Sequence, residues 1–229
     1  MPIGNGRLGA MIFGEAAHER IQLNEDTLWS GFPRDNNNYE TLIHLEEARR
    51  LLGKRKYAEA EALVRSRMLG PWTESYQPLA DLWLDSVHES VEYRTRSLRL
   101  DTATASTWAD GVEYSRECYI SELDQIQVIR LRASWPGALS LKVRLSSPHP
   151  FRFTREEGGM LALQGRAPTH AQPDYVKDHP NPVLYEEERG LLFEVRLRAA
   201  LSGGRATFED AKLPGRCVAG RPHVGALCL

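Results

Sequence analysis

The sequence predicts a mainly β protein, an antiparallel two-layer β-sandwich with a helical hairpin inserted near its start. Three observations carry this expectation. From Pro78 onward most segments alternate apolar and polar residues with period two, which lines one face of a half-buried strand. The dipeptides Asp110-Gly111, Pro136-Gly137 and Gly203-Gly204 are turn signals between neighbouring segments, and they leave no room for the crossover helices of a parallel sheet. Only the stretch from Asn37 to Met68 repeats every three to four residues.

Taken in order, residues 7 to 14 (RLGAMIFG) and 19 to 24 (ERIQLN) read as a strand pair broken at Gly14 and His18. Leu42, Leu45, Ala48 and Leu52, then Tyr57, Ala60, Val64 and Met68, mark two helices in an insertion over about 38–69. Asn37 with Glu40 resembles a capping box, Gly53 separates the helices, and Gly70-Pro71 stops the second. Strands are predicted at 81–85, 91–108 (read as two), 112–120, 125–134, 139–146, 160–165, 191–201 and 205–209. Within 112–120, Val112, Tyr114, Cys118 and Ile120 share one face and Glu113, Ser115 and Glu117 the other, so Cys118 is expected as a small core residue. Residues 166 to 190 form one long irregular loop with four prolines, His170, Tyr175 and His179, a length usual for functional or disordered loops. Residues 1–213 are read as one sandwich domain. After it, 214–229 is an atypical tail without alternation that holds two of the three cysteines, read as a frayed terminus or as out-of-frame translation.

The 229 residues are 41% hydrophobic, and 29 Lys+Arg against 31 Asp+Glu leave a net charge of −2. That balance offers no electrostatic footprint for nucleic acid or an anionic membrane, so neither is expected as a partner. No window approaches the roughly 18 apolar residues of a membrane helix, and no leader pattern opens the chain. As written the chain is expected to be neither exported nor anchored. Ile3 to Phe13 nevertheless reads as the inside of a domain, which suggests a missing front end and leaves the compartment open. Cys118, Cys217 and Cys228 form no CxxC pair and no disulfide framework.

Several motifs raise sharper possibilities. Gly4-Asn5-Gly6-Arg7-Leu8-Gly9 matches G-x-G-x-x-G literally, but no strand precedes it and strand-like AMIF follows, so a turn is expected and no cofactor. Asn24-Glu25-Asp26-Thr27-Leu28-Trp29-Ser30-Gly31 gathers polar groups and an indole that could line a sugar site; an Asx turn with Trp29 in the core is the plainer reading. Adjacent carboxylates on an extended segment diverge, so this cluster is no acid/base pair for glycoside hydrolysis. Trp83 and Trp108 are expected in the core, with Trp72 and Trp135, beside prolines, as the better stacking platforms. No HExxH, His/Cys cluster, GxSxG elbow or Walker loop occurs, so neither a metal nor a nucleophilic centre is predicted.

PIGNGRLGAMIFG (2–14), ERIQLNEDTLWSGFPRD (19–35), YAEAEALV (57–64) and SYQPLADLWL (75–84) resemble the N-terminal domain of glycoside hydrolase family 95. Weaker agreement in GRAPTHAQPDY (165–175) and LLFEVRL (191–197) carries the resemblance to about residue 210, with Ala80 standing where that family usually has Gly. The resemblance implies a supersandwich-like N-terminal domain followed by a linker, an (α/α)₆ catalytic barrel and a C-terminal β domain. It further implies inverting hydrolysis of terminal α-L-fucosyl linkages, with some members acting on α-L-galactosides, by residues of the barrel. No catalytic residue is therefore expected within this chain, and the barrel in cis and a fucosylated glycan are the partners implied. Asn24, Glu25, Asp26, Trp29, His170 and Tyr175 are expected as a possible rim of the sugar pocket in an intact enzyme. A free-standing carbohydrate-binding module and a purely structural domain are the alternatives.

Overall fold

The computed structural model describes residues 1–15, 17–86, 93–101, 104–109, 114–156, 160–173, 175, 180–203, 205–208, 216–220 and 224–228; side chains are described up to residue 203, except those of 93–95, 104–109 and 156. The chain divides into two compact units, Met1–Gly31 with Ser75–Leu229, and Phe32–Glu74. Among the described residues of the first unit, seven strands form one antiparallel sheet in the order β1 (Pro2–Gly4), β2 (Leu8–Ile12), β3 (His18–Glu25), β4 (Ala80–Ser86), β9 (Leu141–Ser146), β16 (Arg216–Gly220) and β15 (Arg205–Phe208). Eight more form a second, in the order β10 (Phe151–Glu156), β11 (Met160–Arg166), β14 (Leu192–Ser202), β17 (Val224–Cys228), β8 (Ile126–Ala133), β7 (Tyr114–Ser121), β6 (Thr104–Ala109) and β5 (Tyr93–Arg99). A two-stranded ribbon, β12 (His170–Ala171) with β13 (Val183–Leu184), lies within the long loop. The mainly β, antiparallel expectation is met.

Period-two alternation sends one set of side chains from each sheet into a shared layer. Ile12, Ile21, Leu82 and Leu145 stand opposite one another across β2, β3, β4 and β9, each fully buried. Cys118, Ile129, Leu163 and Leu197 enter the same apolar cluster from the other sheet. Burial pushes the Cys118 thiol up to about 12, so it is an inert core residue, as expected.

The same inward register holds an ion pair. Glu19, two positions before Ile21 on β3, is wholly buried, and its carboxylate meets the guanidinium of Arg116 from β7 in the opposing sheet. Its Oε1 accepts the Gly14 N–H at 2.9 Å, and Arg116 donates to the Glu15 carbonyl at 2.9 Å. Burial pushes the Glu19 carboxyl upward against the opposing pull of Arg116. Alternation alone places neither residue inward by chemistry, since both are charged.

Four local expectations need correction. Trp83 is not in the core: it lies on the outer face of its sheet, between Arg20 and Arg144, whose guanidinium carbons stand 5.6 and 5.4 Å from its rings. Asp81 and Asp85 hold those arginines in place, at 3.0 Å each, so the indole serves as a cation–π spacer. The first helix, α1 (Thr41–Gly53), begins without a side-chain cap; Asn38, not Asn37, acts locally, accepting the Glu40 N–H at 3.0 Å. Leu42 and Leu52 are exposed, whereas Ala48 and Leu51 are buried with Ala60 of α2 (Tyr57–Leu63), which passes into a π-helical turn at Val64–Met68. Strands β1 and β10 were not expected, because three residues carry no period and Phe151 follows closely on Pro148 and Pro150. In the stretch set apart as a tail, Arg216–Gly220 and Val224–Cys228 pair as strands. The Asp110-Gly111 turn, Val112, Glu113, His179 and the Trp108 side chain lie outside the described residues.

The glycine motif is a turn joining β1 to β2. Asn5 Oδ1 accepts the N–H groups of Arg7 and Leu8 at 3.1 and 2.8 Å, and Gly6 takes a φ of +97°, a conformation that costs glycine little. A strand follows it, so the helix N-terminus that a pyrophosphate needs is replaced by sheet.

Removing one partner of a buried ion pair leaves an uncompensated charge, whereas replacing both with apolar groups is far milder. Arg116→Met is expected to lose about 3–5 kcal/mol of unfolding free energy, and the double variant Glu19→Leu/Arg116→Met much less than the two single losses combined. Urea denaturation of the three variants checks this, and additive losses would show that the pair is not coupled.

Candidate functional site

Two features in the first unit gather the residues expected at a sugar rim. The first is a cavity of about 490 Å³ that opens between the sheets, lined by Arg7, Asn24, Glu25, Gln125, Gln127, Phe193, Glu194 and Arg196 over leucines 8, 23, 28 and 79. Asn24 and Glu25 reach it because β3 ends there. Phe193 fits because its partner across β11 and β14 is Gly165, where a Cβ would lie 2.3 Å from the ring.

Two carboxylates line this cavity, and both are committed. Arg7 donates to Glu25 Oε1 at 3.1 Å, while the N–H and hydroxyl of Thr27 donate to Oε2 at 2.8 and 2.6 Å. Partial burial opposes ionisation of Glu25, but these donors outweigh it and hold the carboxyl below its usual range. Glu194 accepts from Gln164 at 2.5 Å and from Arg196, and is held low by the same bonds in that order. A glycosidase general acid needs the opposite shift, a carboxyl kept protonated near neutrality. The raised carboxyl, Glu19, is sealed in the core and belongs to Arg116.

The second feature is a junction of loops. Ser30 N–H donates to the Ser75 carbonyl at 2.9 Å, Gly31 N–H to the Pro168 carbonyl at 2.9 Å, and the Ser75 hydroxyl to the Ala171 carbonyl at 3.0 Å. These bonds bring residues 28–31, 75–77 and 168–172 to one place. Trp29 is not packed in the core: its indole N–H donates to the Asp26 carbonyl at 3.1 Å, and its half-exposed ring meets that of Tyr76 edge-on at 5.9 Å. Burial, then the carboxylates of Glu25 and Asp26, push the Tyr76 hydroxyl upward. Asp26 is exposed in the turn. His170 stands at the junction on β12 with a ring nitrogen 2.9 Å from Gln172 Oε1. Tyr175 is exposed on the loop beyond and belongs neither to the cavity lining nor to the Trp29–Tyr76 pair. Trp72 and Trp135 are also exposed.

His149 joins the list that sequence reasoning missed, as do Tyr76, Gln127 and Glu194. It is buried; its Nε2–H donates to the Pro78 carbonyl at 2.9 Å and Nδ1 accepts from the Tyr185 hydroxyl at 3.0 Å, because a carbonyl can only accept. Burial pulls its pKa down, opposed by the Pro78 carbonyl. A signal existed only for Gln127, a polar residue at an inward position of an alternating strand. Among the described residues no group of three or more His, Cys, Asp or Glu could hold a metal, and no helix is long and apolar enough to cross a membrane.

Among the described residues, the cavity of this antiparallel sandwich is rimmed by two neutralised ion pairs, Arg7–Glu25 and Arg196–Glu194, over an apolar floor. Residues 1–219 match the family described as glycosyl hydrolase family 65, N-terminal domain, and the chain belongs to that family. It is 37% identical over 216 residues to α-L-fucosidase 2 of Arabidopsis thaliana, covering 89% of this chain and 25% of that protein. It is 36% identical over 159 residues to probable α-fucosidase A of Aspergillus niger, covering 65% of this chain and 20% of the relative. The chain thus spans about a quarter or less of the length of these relatives.

Two outcomes follow from the ionisation states. A buried histidine favouring the neutral form contributes stability that is full above its ordinary value of 6.5 and is lost as pH falls below it. The stability advantage of the natural protein over His149→Gln is therefore expected to shrink as pH drops below 6.5 in denaturation series; a constant difference would contradict the burial effect. In a full-length relative, the counterpart of Glu25→Gln is expected to leave the shape of the kcat pH profile unchanged, since Glu25 holds no transferable proton. Loss of one limb of that profile would contradict it.

Proposed function

We propose that this chain is the N-terminal, non-catalytic domain of a glycoside hydrolase of the family 95 α-L-fucosidase type. Its role is to support an (α/α)₆ barrel that hydrolyses terminal α-L-fucosyl linkages with inversion. The observation that carries this reading is the alignment of nearly the whole chain with one quarter of a protein named as an α-L-fucosidase. Both cavity carboxylates being held ionised supports assigning the acid and base to other polypeptide. The fucosylated glycan is then met through the intact enzyme, with the barrel as partner in cis. The loop junction at Trp29, Tyr76 and His170, together with Asn24, Glu25, Asp26 and Tyr175, is the surface we assign to the sugar-pocket rim.

A free-standing carbohydrate-binding module is the second reading, favoured by the half-exposed Trp29–Tyr76 pair, since sugars stack on aromatic faces. Purified chain incubated with 2′-fucosyllactose is expected to release no fucose above the buffer control. Release above that control would overturn the non-catalytic assignment, and calorimetric titration with the same sugar separates the readings, because only a module binds it unaided.

A further inference from the structure

The turn between α1 and α2 carries more positive charge than its fold requires. Arg49, Arg50, Lys54, Arg55 and Lys56 are all exposed there. Glu47 takes up Arg50 and Glu59 takes up Lys56 in ion pairs, whereas among the described residues Arg49, Lys54 and Arg55 make neither an ion pair nor a side-chain hydrogen bond. Main-chain bonds lock the turn: Arg55 N–H donates to the Leu52 carbonyl at 2.9 Å and Lys56 N–H to the Leu51 carbonyl at 3.0 Å, the Schellman pattern that ends a helix. The left-handed position of that pattern is ordinarily glycine, and here it is Arg55, at a φ of +59°. A side chain in that region is strained. The dipole of α1 favours cations over its last turn, which accounts for Arg49, Arg50 and Lys54. Arg55 and Lys56 stand instead before the first turn of α2, where a helix favours negative charge. Tyr57 opens α2 with its ring 63% exposed.

We propose that this turn is a docking surface for an acidic polysaccharide, a chain of uronic acid units whose carboxylates meet Arg49, Lys54 and Arg55 while one sugar ring stacks on Tyr57. The ground is charge complementarity: a chain of net charge −2 concentrates three unpaired cations on one rigid turn, and an anionic polymer meets them with successive carboxylates. A guanidinium offers a carboxylate two parallel N–H donors, which gives Arg49 and Arg55 a geometric match as well as a charge. The Tyr57 ring supplies the apolar face on which a pyranose lies. Other polyanions fit less well. Single-stranded nucleic acid is tracked by a charged groove with successive stacking rings, and this turn has one ring. An anionic membrane is held by clusters of about four to eight cations, more than are unpaired here. The chain belongs to a glycosyl hydrolase family, and the preference for a glycan rests on the proposed function.

Biolayer interferometry of the 229-residue chain on immobilised polygalacturonate tests this. The control surface is the methyl-esterified polymer, which keeps the sugar backbone and lacks the charge. Binding is expected on the first surface and not on the second, weakening about tenfold between about 50 and 200 mM salt. The triple variant Arg49→Gln/Lys54→Gln/Arg55→Gln is expected to lose about tenfold or more in affinity, and Tyr57→Ala about threefold. Arg55→Gly is expected to bind more weakly and yet melt at a higher temperature, because glycine relieves the left-handed position. All four side chains are exposed, and circular dichroism checks that each variant is folded. No binding to polygalacturonate, equal binding to the esterified polymer, or an unchanged triple variant would each overturn the docking surface. Tighter binding to a single-stranded oligonucleotide or to phosphatidylserine vesicles would overturn the choice of a glycan, and so would an unaffected Tyr57→Ala. No arm reads fucose release, so a failed fucosidase reading stays distinguishable from a failed docking surface.

Discussion

The apolar layer between the sheets is the constraint from which the other features follow. Its centre is the row Ile12, Ile21, Leu82 and Leu145, four strands abreast and closed to water. A one-residue slip of any of these strands would exchange its buried and outer faces, so the row pins the register of the whole sheet. Register in turn decides where charged residues fall. Glu19 faces inward because Ile21 does, and the opposing sheet answers it with Arg116. Arg20, one position on, faces outward and becomes half of a guanidinium–indole–guanidinium ladder with Trp83 and Arg144.

Much of this was legible in the sequence, and the failures have physical causes. Alternation located most strands, because half-burial leaves a period that needs no partner to be seen. It could not say which face was inner where both were amphipathic: Trp83 reads as core by its apolar surface, yet its neighbours Leu82 and Leu84 hold the inward positions. Sheet order was beyond reach for the same reason. Glu25 and Glu194 lie far apart in sequence and line one cavity only because β3 and β14 belong to facing sheets. The Asn24–Trp29 segment was visible as a polar cluster, whereas its junction with Ser75–Gln77 and Pro168–Gln172 is made by main-chain bonds that leave no mark on side-chain composition.

The electrostatics of the sandwich divide into pairs that neutralise one another. Glu25 with Arg7, Glu194 with Arg196 and Asp85 with Arg144 are each drawn to the ionised form, Glu25 and Asp85 despite partial burial. Such groups hold loops and strands in place and have no proton to lend near neutrality. These pairs fix geometry, in a chain that aligns with 25% of the length of α-L-fucosidase 2 of Arabidopsis thaliana.

Ser30 and Ser75 are held together twice, through Ser30 N–H to the Ser75 carbonyl and Ser75 N–H to the Ser30 hydroxyl at 3.0 Å. Everything from Phe32 to Glu74 leaves and re-enters the sandwich through that doorway. With the two ends of this stretch held together, a change in its length adds only a logarithmic penalty to their closure. The Ser30–Ser75 clasp thereby makes the closure of these ends nearly indifferent to how many residues lie between them.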